Sequence, residues 1–475
     1  MQFDDSTDSP RYEQLADHLA SQIGAGVYPP GTRIPSVRRL RDQHAVSVST
    51  VVEACRVLED RGLVRARPRS GYWVQATARP EPDPPAPSSR VRRVDRTLAM
   101  DIHLGIGSPQ HPTLGAAVQA PELMPITAMN RLLSQATRLH PSACHSYDAP
   151  PGTIELRRAI ARRAPDAGFS TSPDDLVITG GAKEAVYLSI KAVTRPGDTV
   201  AIESPAYYAL LEVLASLDLR AVEIASSPRT GIDLDLLERS LGRGGISAVV
   251  LMTNWSNPTG ACLDDAAKRR LMGLLERFDV PLVEDDVYAE LSFDGVRPPS
   301  LKAYDRNGLV LHCSSWSKTL SPGLRVGWAA PGRYRDRFEL MKLVVNQATA
   351  VAPQLAVAAY LESGGFDRHL RRLQRAYSQQ MDAMVDAVAR HLPPGTRSTS
   401  PRGGHVLWVQ LPSGVDSLAV YESAAVEGIR FAPGPMFSAS GGFREYLRLN
   451  TGFPHTPAIE AQVARLGELV AAAAG

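Results

Sequence analysis

Lysine is scarce in this 475-residue chain: of its 52 basic residues only six are lysine and 46 are arginine. A bias of that size is consistent with a GC-rich genome, and no function attaches to it as a whole. Cysteine is scarce too. Cys55, Cys144, Cys262 and Cys313 are scattered without metal or disulfide spacing, which argues against a disulfide-stapled scaffold and for reduced thiols in a cytoplasmic protein. No metal site is expected. Long apolar runs are also missing. No stretch of about eighteen apolar residues occurs, so no transmembrane helix is expected. The opening "MQFDDSTDSPRYEQ" is acidic and polar and does not look like a signal peptide.

What is present is the composition of a soluble globular protein, 44% apolar and 21% charged. The length suggests about two to four domains. Net charge is only +2, but it is unevenly placed: residues 30–75 hold nine arginines against four acids, a local excess of five. That asymmetry points to a polyanionic partner for the N-terminal part.

The clearest break is "ATARPEPDPPAPSSRVRRVDR", residues 76–96. It is proline-rich, aperiodic and poor in large apolar residues, as in a semi-extended linker. We place the linker at 76–98, between a first domain at 10–75 and a second at 99–475. Upstream, Tyr12 to Ala25 is helical in pattern, with Leu15, Leu19 and Ile23 on one face. Ser36 can N-cap "VRRLRDQH". A further helix opens at Ser47, keeps Val51, Cys55 and Leu58 on one face, and stops at Gly62. "LVRARPRSGYWVQ" alternates and is broken by Pro68 and Gly71, as in a hairpin. The outline is a winged helix. Ser47, Ser49 and Thr50 crowd the first turn of the third helix, where hydroxyls and free N–H groups can hold phosphate. Arg65, Arg67 and Arg69 line the hairpin, where a wing could reach a groove.

Residues 12–75 resemble the GntR-type winged-helix domain over nearly its full pattern, "PGxxLPSxRxLA…vSxxTVxxAyxxLExxGLvxxxxxsGyxV". The resemblance implies contact with double-stranded DNA through Arg38, Ser47, Thr50, Arg69 and Gly71. One departure stands out. Val48 and Val52 occupy positions where members of that family carry basic residues, which shifts the expected readout toward Arg38 and the wing.

From about Met100, apolar strands alternate with helices, which implies an α/β domain with a mostly parallel sheet. Ligands of such sheets collect at the carboxyl ends of the strands, so the polar residues just after each strand are candidates. "TGGAKEA" offers N–H groups at a helix start, Gly181 to Lys183, suited to phosphate. "ESPAYY" offers Tyr207 to cover a ring. "NWSNPTG" presents Asn257, "VEDDVY" presents Asp285 and Tyr288, and "SSWSKTLSPGLRVGW" presents Ser315, Ser317, Lys318 and Arg325. Together they describe a pocket for pyridoxal phosphate (PLP), in which a lysine amine condenses with an aldehyde and a carboxylate keeps the pyridine nitrogen protonated. Lys318 alone follows an apolar strand at a sheet end. Lys183, Lys191, Lys268, Lys302 and Lys342 read as surface lysines, and a guanidinium cannot condense with an aldehyde.

Residues 100–475 resemble the fold-type I, aspartate-aminotransferase-like family. The resemblance implies a large domain with a mostly parallel central sheet and a smaller C-terminal α/β subdomain. It makes Lys318 the Schiff-base lysine and Asp285 the partner of the pyridinium nitrogen, although a one-residue slip would put Asp286 there. Asn257 and Tyr288 fall at the ring hydroxyl, and Tyr207 (or Tyr208) on the ring face. Gly181, Ala182, Lys183, Ser315 and Arg325 fall at the phosphate. Arg448 matches the arginine that grips a substrate α-carboxylate, with a structural salt bridge as its bland alternative. Tyr147 matches a tyrosine that reaches the neighbouring subunit's phosphate, which implies a homodimer. His312 and His405 receive no role. A GntR-like head joined to such a domain resembles the MocR subfamily of transcription regulators. That implies an operator with two half-sites and an amino-acid or amine effector. The rival expectation is a working aminotransferase with a DNA-binding head.

Overall fold

The computed structural model of the chain describes residues 10–28, 32–61, 63–67, 71–74, 82, 91–94 and 114–474. Gly62, Pro68, Arg69 and the loop around Leu104 lie outside the described residues, as do the side chains of Arg65 and Arg67.

The N-terminal unit holds three helices, α1 (Arg11–Gly24), α2 (Val37–His44) and α3 (Val48–Asp60), and a hairpin of β1 (Val64–Arg67) and β2 (Gly71–Val74). Ser36 Oγ accepts from Arg39 N at 3.3 Å and Ser47 Oγ from Thr50 N at 3.1 Å, so both helices begin where short hydroxyl side chains can take an orphan donor. Between them Ala45 adopts a left-handed conformation, φ 51°, which turns α2 into α3. Leu15, Leu19, Leu40, Val51, Leu58 and Val74 close a small core. The hairpin pairs Val64 with Val74 and Arg67 with Gly71. Gly71 has φ +81°, and a Cβ there would stand 3.0 Å from Arg33 Nε, so the returning strand needs glycine at its first residue.

The large unit is built on a central sheet of nine described strands. They are β3 (Val91–Arg93), β4 (Val177–Thr179), β5 (Thr199–Ser204), β6 (Arg220–Ser227), β7 (Gly231–Ile232), β8 (Ile246–Leu251), β9 (Leu282–Asp285), β10 (Val310–Ser315) and β11 (Gly327–Ala330). Their order is β3-β6-β5-β8-β9-β10-β11-β4, with β7 attached to β6. From β6 to β10 all neighbours are parallel; β11 runs antiparallel to both β10 and β4. Two reversals restore the direction, so β4 points the same way as β10. The carboxyl ends of β4, β5, β8, β9 and β10 therefore share one edge. Alternate residues face opposite layers. Val200, Ile202, Val250, Val283 and Leu311 pack toward the helices at 182–193 and 208–216, whereas Ala201, Val249, Leu282 and Val310 pack toward those at 234–242 and 265–278.

The expected linker is corrected at its end. β3 lies inside 76–98, pairing antiparallel with β6 through Val91–Val222 and Arg93–Arg220, and Val94 is buried. Two isolated valines among arginines carry no strand period in sequence; the open edge of β6 supplies the missing hydrogen-bond partners. The C-terminal subdomain is an antiparallel sheet of β12 (Arg397–Ser398), β13 (Val406–Gln410), β14 (Ala432–Pro433) and β15 (Tyr446–Asn450), in the order β12-β13-β15-β14. Trp408 stacks on Tyr446 at 5.3 Å in its core.

Because Leu58 is fully buried in the small N-terminal core, Leu58→Ala is expected to lower the stability of that unit by about 2–5 kcal/mol. Urea denaturation reports the loss. The visible cofactor spectrum is expected to stay unchanged, and a changed spectrum would show that the two units share a core.

Candidate functional site

A cavity opens at the common edge of the sheet. Its lining includes Ala182, Lys183, Tyr207, Asn257, Asp285, Tyr288, Ser315, Ser317, Lys318 and Arg325. They come from the ends of β4, β5, β8, β9 and β10 or the turns that follow them, as open α/β sheets dictate. β9 and β10 run parallel with Asp285 opposite Cys313, so the carboxylate at the end of β9 and the lysine just past β10 meet over one pocket floor.

Lys318 Nζ donates to the Ala117 carbonyl at 2.6 Å and lies 5.7 Å from the centre of the Tyr288 ring. Burial, with the nearby Arg448 charge, lowers its pKa from the usual 10.5 to about 8, against the opposing pull of Asp285. Burial and the neighbouring Asp286 carboxylate push Asp285 up to about 7. Asp285 Oδ1 is shielded from solvent and has no hydrogen-bond partner among the described residues.

The strand period separates the two adjacent aspartates. Asp286 points away from the cavity: its oxygens accept from Asn254 Nδ2 at 2.8 Å and Arg297 Nη2 at 2.6 Å. Beside it, His312 Nδ1 lies 3.0 Å from Glu284 Oε2. Burial alone would raise Glu284, but the His312 contact and charge outweigh it and hold the group as a carboxylate. Tyr207 lines the cavity, whereas Tyr208 packs behind it, 4.9 Å away ring to ring and beneath Arg448.

At the far end the helix at 182–193 starts after Gly181 with no side chain capping it. Its first N–H groups thus face the cavity mouth beside Lys183 and Arg325. Arg325 Nη2 donates to the Gly180 carbonyl at 2.7 Å. A Cβ on Gly327 would come 2.5 Å from the Gly181 carbonyl carbon, so only glycine lets β11 pass under that loop.

Three expected residues stand outside the cavity lining: Gly181, which only precedes the helix start, Arg448 and Tyr147. Arg448 is fully buried between the rings of Tyr208 and Phe437; Nη1 donates to Asn257 Oδ1 at 3.2 Å, Nη2 to the Gly115 carbonyl, and Nε has no partner among the described residues. Tyr147 is 87% exposed, on the outer surface of its own chain.

Three lysines expected at the surface are not there. Lys268 is fully buried, its ammonium donating to Asn254 Oδ1 at 2.7 Å and the Pro299 carbonyl at 2.8 Å. Lys342 is fully buried too, bonded to Glu184 at 2.8 Å and Thr349 at 2.9 Å. Lys302 is half-buried on Asp305 and the Val310 carbonyl. All three are held by oxygen acceptors and none lines the cavity, whereas Lys318 and Lys183 do.

Sequence reasoning missed Glu203. This carboxyl in the apolar strand β5 walls the cavity and accepts from Ser256 Oγ at 2.9 Å and Met252 N at 3.3 Å. Burial pushes it up to about 8. An acid inside an apolar strand was the available signal. His405, given no role, lies edge-on to Tyr288 at 5.3 Å and supports that ring from behind.

The geometry is that of a winged helix joined to an aminotransferase fold with a lysine–aspartate cofactor pocket. Comparison with known proteins agrees. Residues 100–459 match the aminotransferase class I and II family and residues 11–74 the gntR family of bacterial regulatory proteins. Over 462 residues the chain is 38% identical to the uncharacterized HTH-type transcriptional regulator YdcR of Escherichia coli, covering 97% of this chain and 99% of that one. It is 29% identical over 365 residues to aromatic-amino-acid aminotransferase 1 of Thermococcus litoralis, covering 75% of this chain and 87% of that one. Among solved structures, LysN, the alpha-aminoadipate aminotransferase of Thermus thermophilus complexed with N-(5'-phosphopyridoxyl)-L-leucine, superposes with a TM-score of 0.74 at 29% identity, over 80% of this chain and 96% of that one. The chain belongs to the aminotransferase class I and II family and carries a gntR-type DNA-binding domain at its N-terminus. Its cofactor is PLP. The residues present fit that group: an unpartnered buried carboxylate oxygen for a protonated ring nitrogen, an uncapped helix start for a phosphate, and an amine between them.

A lysine amine attacks a carbonyl only when neutral. With the Lys318 pKa near 8, the neutral fraction grows as pH rises through that value. The rate at which PLP joins cofactor-free protein, followed by visible absorbance, is expected to climb between pH 7 and 8 and level off above about 8.5. A rate still climbing steeply at pH 10 would mean an unperturbed lysine. Lys318→Ala is expected to abolish the protein-bound absorbance band altogether.

Proposed function

We propose that the protein is a DNA-binding transcription regulator whose PLP pocket senses an amino acid or related amine. The observation that carries this reading is the junction, in one chain, of a winged helix and a pocket in which Lys318 and Asp285 face each other. In this reading Lys318 holds the cofactor, and Asp285 accepts from its ring nitrogen. Asn257 and Tyr288 stand at the ring oxygen, and Tyr207 covers the ring. Gly181, Ala182, Lys183, Ser315 and Arg325 bind the phosphate. When bound, PLP supplies a carbon that can exchange one amine partner for another.

Arg448 recognises the effector. Its two terminal nitrogens now hold neutral carbonyl oxygens of Asn257 and Gly115. A carboxylate replacing both gains a charge-assisted, bidentate pair in a water-poor place. The released Lys318 amine and the engaged Arg448 then give the two liganded states different contacts, as any population shift requires. The protein acts as a homodimer, with Tyr147 serving the partner's pocket. Two heads on one dimer raise each other's effective concentration on an operator with two half-sites. DNA is held by Arg38, Ser47, Ser49, Thr50, Arg67, Arg69 and Gly71.

A second reading has support of its own. Lys318, Asp285 and Arg448 suffice in kind for transamination, so a working aminotransferase with a DNA-binding head is the rival. One experiment separates them. Holo-protein is titrated with amino acids and simple amines while cofactor absorbance, binding to its own upstream DNA and keto-acid release are followed together. The regulator reading expects one compound class to shift both spectrum and DNA affinity with at most single half-turnovers. Sustained release at about 1 s⁻¹ or faster without a change in DNA affinity would establish the rival.

Two substitutions extend the test. Arg448→Lys is expected to weaken carboxylate-bearing effectors by about tenfold or more, because the ammonium cannot form the fork; amines lacking a carboxylate should be unaffected. Arg38→Ala is expected to weaken binding to the preferred duplex by about tenfold and to relax base preference at one position of each half-site, because the readout there rests on its guanidinium.

A further inference from the structure

The outward face of α3 is apolar where a basic face would be expected. Val48 is 46% exposed and Val52 42% exposed, four residues apart and hence on one ridge of the helix. Arg56 continues the ridge one turn on, its side chain 70% exposed and 3.9 Å from Glu53. A single exposed valine needs no explanation. Two in line on the face turned from the core do, because valine is a poorer helix former than the polar alternatives and gains nothing from packing there.

The surroundings say what covers the ridge. Ser47 and Ser49 hydroxyls lie 2.7 Å apart at its head, where Ser47 Oγ caps the first turn by accepting from Thr50 N at 3.1 Å. Arg38 and Arg39, on the helix before, are exposed. An apolar stripe with hydroxyls at its head and Arg56 at its foot matches a DNA major groove, whose one apolar feature is the thymine C5 methyl. The residues at the start of such a helix are those that reach base edges. Valine side chains are also stiff at χ1, so little freedom is lost when they are set against a methyl group.

We propose that Val48 and Val52 are specificity-determining residues that read thymine methyl groups in the major groove, so that each half-site carries thymines where the two valines land. Hydrogen-bonded readout of guanine at those steps is absent, since neither side chain has a donor. The inference rests on the DNA-binding reading above and adds to it which base chemistry the recognition helix selects.

The test uses the full-length holo-protein and a duplex it selects from a random library. Each thymine is replaced in turn by deoxyuridine, which removes the methyl and leaves the pairing and the O4 acceptor intact. Loss of about fourfold in affinity is expected for each methyl that is contacted, at one or two positions per half-site. Val48→Ala and Val52→Ala should each bind the thymine duplex about that much more weakly and lose the thymine–uracil difference at one position only. Alanine favours the helix more than valine does, and the uracil series on the unaltered protein needs no variant at all. A selected duplex whose thymines can all be replaced without loss overturns the proposal while leaving DNA binding standing. So does a thymine–uracil difference that survives in both variants. Selection that yields no preferred duplex overturns the DNA-binding reading and this proposal together.

Discussion

Opposite charges buried at one edge of a sheet set the terms for the large domain. Lys318 and Asp285 share a water-poor cavity in which neither keeps its ordinary pKa, the lysine drawn down to about 8 and the aspartate up to about 7. Such a pair is costly to build. It persists because β9 and β10 run parallel and end side by side, and because neighbouring strands deliver Tyr207, Asn257 and the helix start at 182 to the same edge. A bound cofactor adds a ring cation and a phosphate, the charges that the unpartnered Asp285 oxygen and the uncapped helix start lack.

Behind the cavity a second polar layer keeps Asp285 in place. Asp286 is bonded to Arg297 and Glu284 to His312 in the interior, while Asn254 and Lys268 tie the same layer to the Pro299 carbonyl. Buried polar groups of this kind are tolerable only when mutually bonded. Because successive residues of a strand alternate in direction, the adjacent acids of "VEDDVY" serve opposite sides: Glu284 and Asp286 the scaffold, Asp285 the pocket. The stretch reads as one acidic run but does two jobs.

The N-terminal unit has its own core and its own capped helices, and its surface chemistry differs from that of the large unit. On α3 an apolar ridge of Val48 and Val52 lies between the hydroxyls of Ser47 and Ser49 and the guanidinium of Arg56. The two units thus carry separate chemistries, a cofactor pocket in one and a DNA-binding helix in the other.

Much of this was legible before any coordinates. Helix caps at Ser36 and Ser47, the strand–turn–helix series and the polar residues after each strand follow from period and local chemistry, and those cues act over a few residues. So do the winged helix and the single lysine in "SSWSKTLSPGLRVGW". Burial does not. Lys268 and Lys342 look like surface lysines because the carbonyl, amide and carboxylate that hold them come from segments far away in sequence. β3 was hidden because two valines make a strand only against the open edge of β6. The sequence by itself determined which chemistry is available: an amine, a carboxylate, a phosphate cradle and a basic head. Only the tertiary structure decided which of two adjacent aspartates faces the amine, which tyrosine lines the pocket and that Glu203 belongs to its wall. Strand direction, sheet order and burial are properties of segments that meet only when the chain has folded.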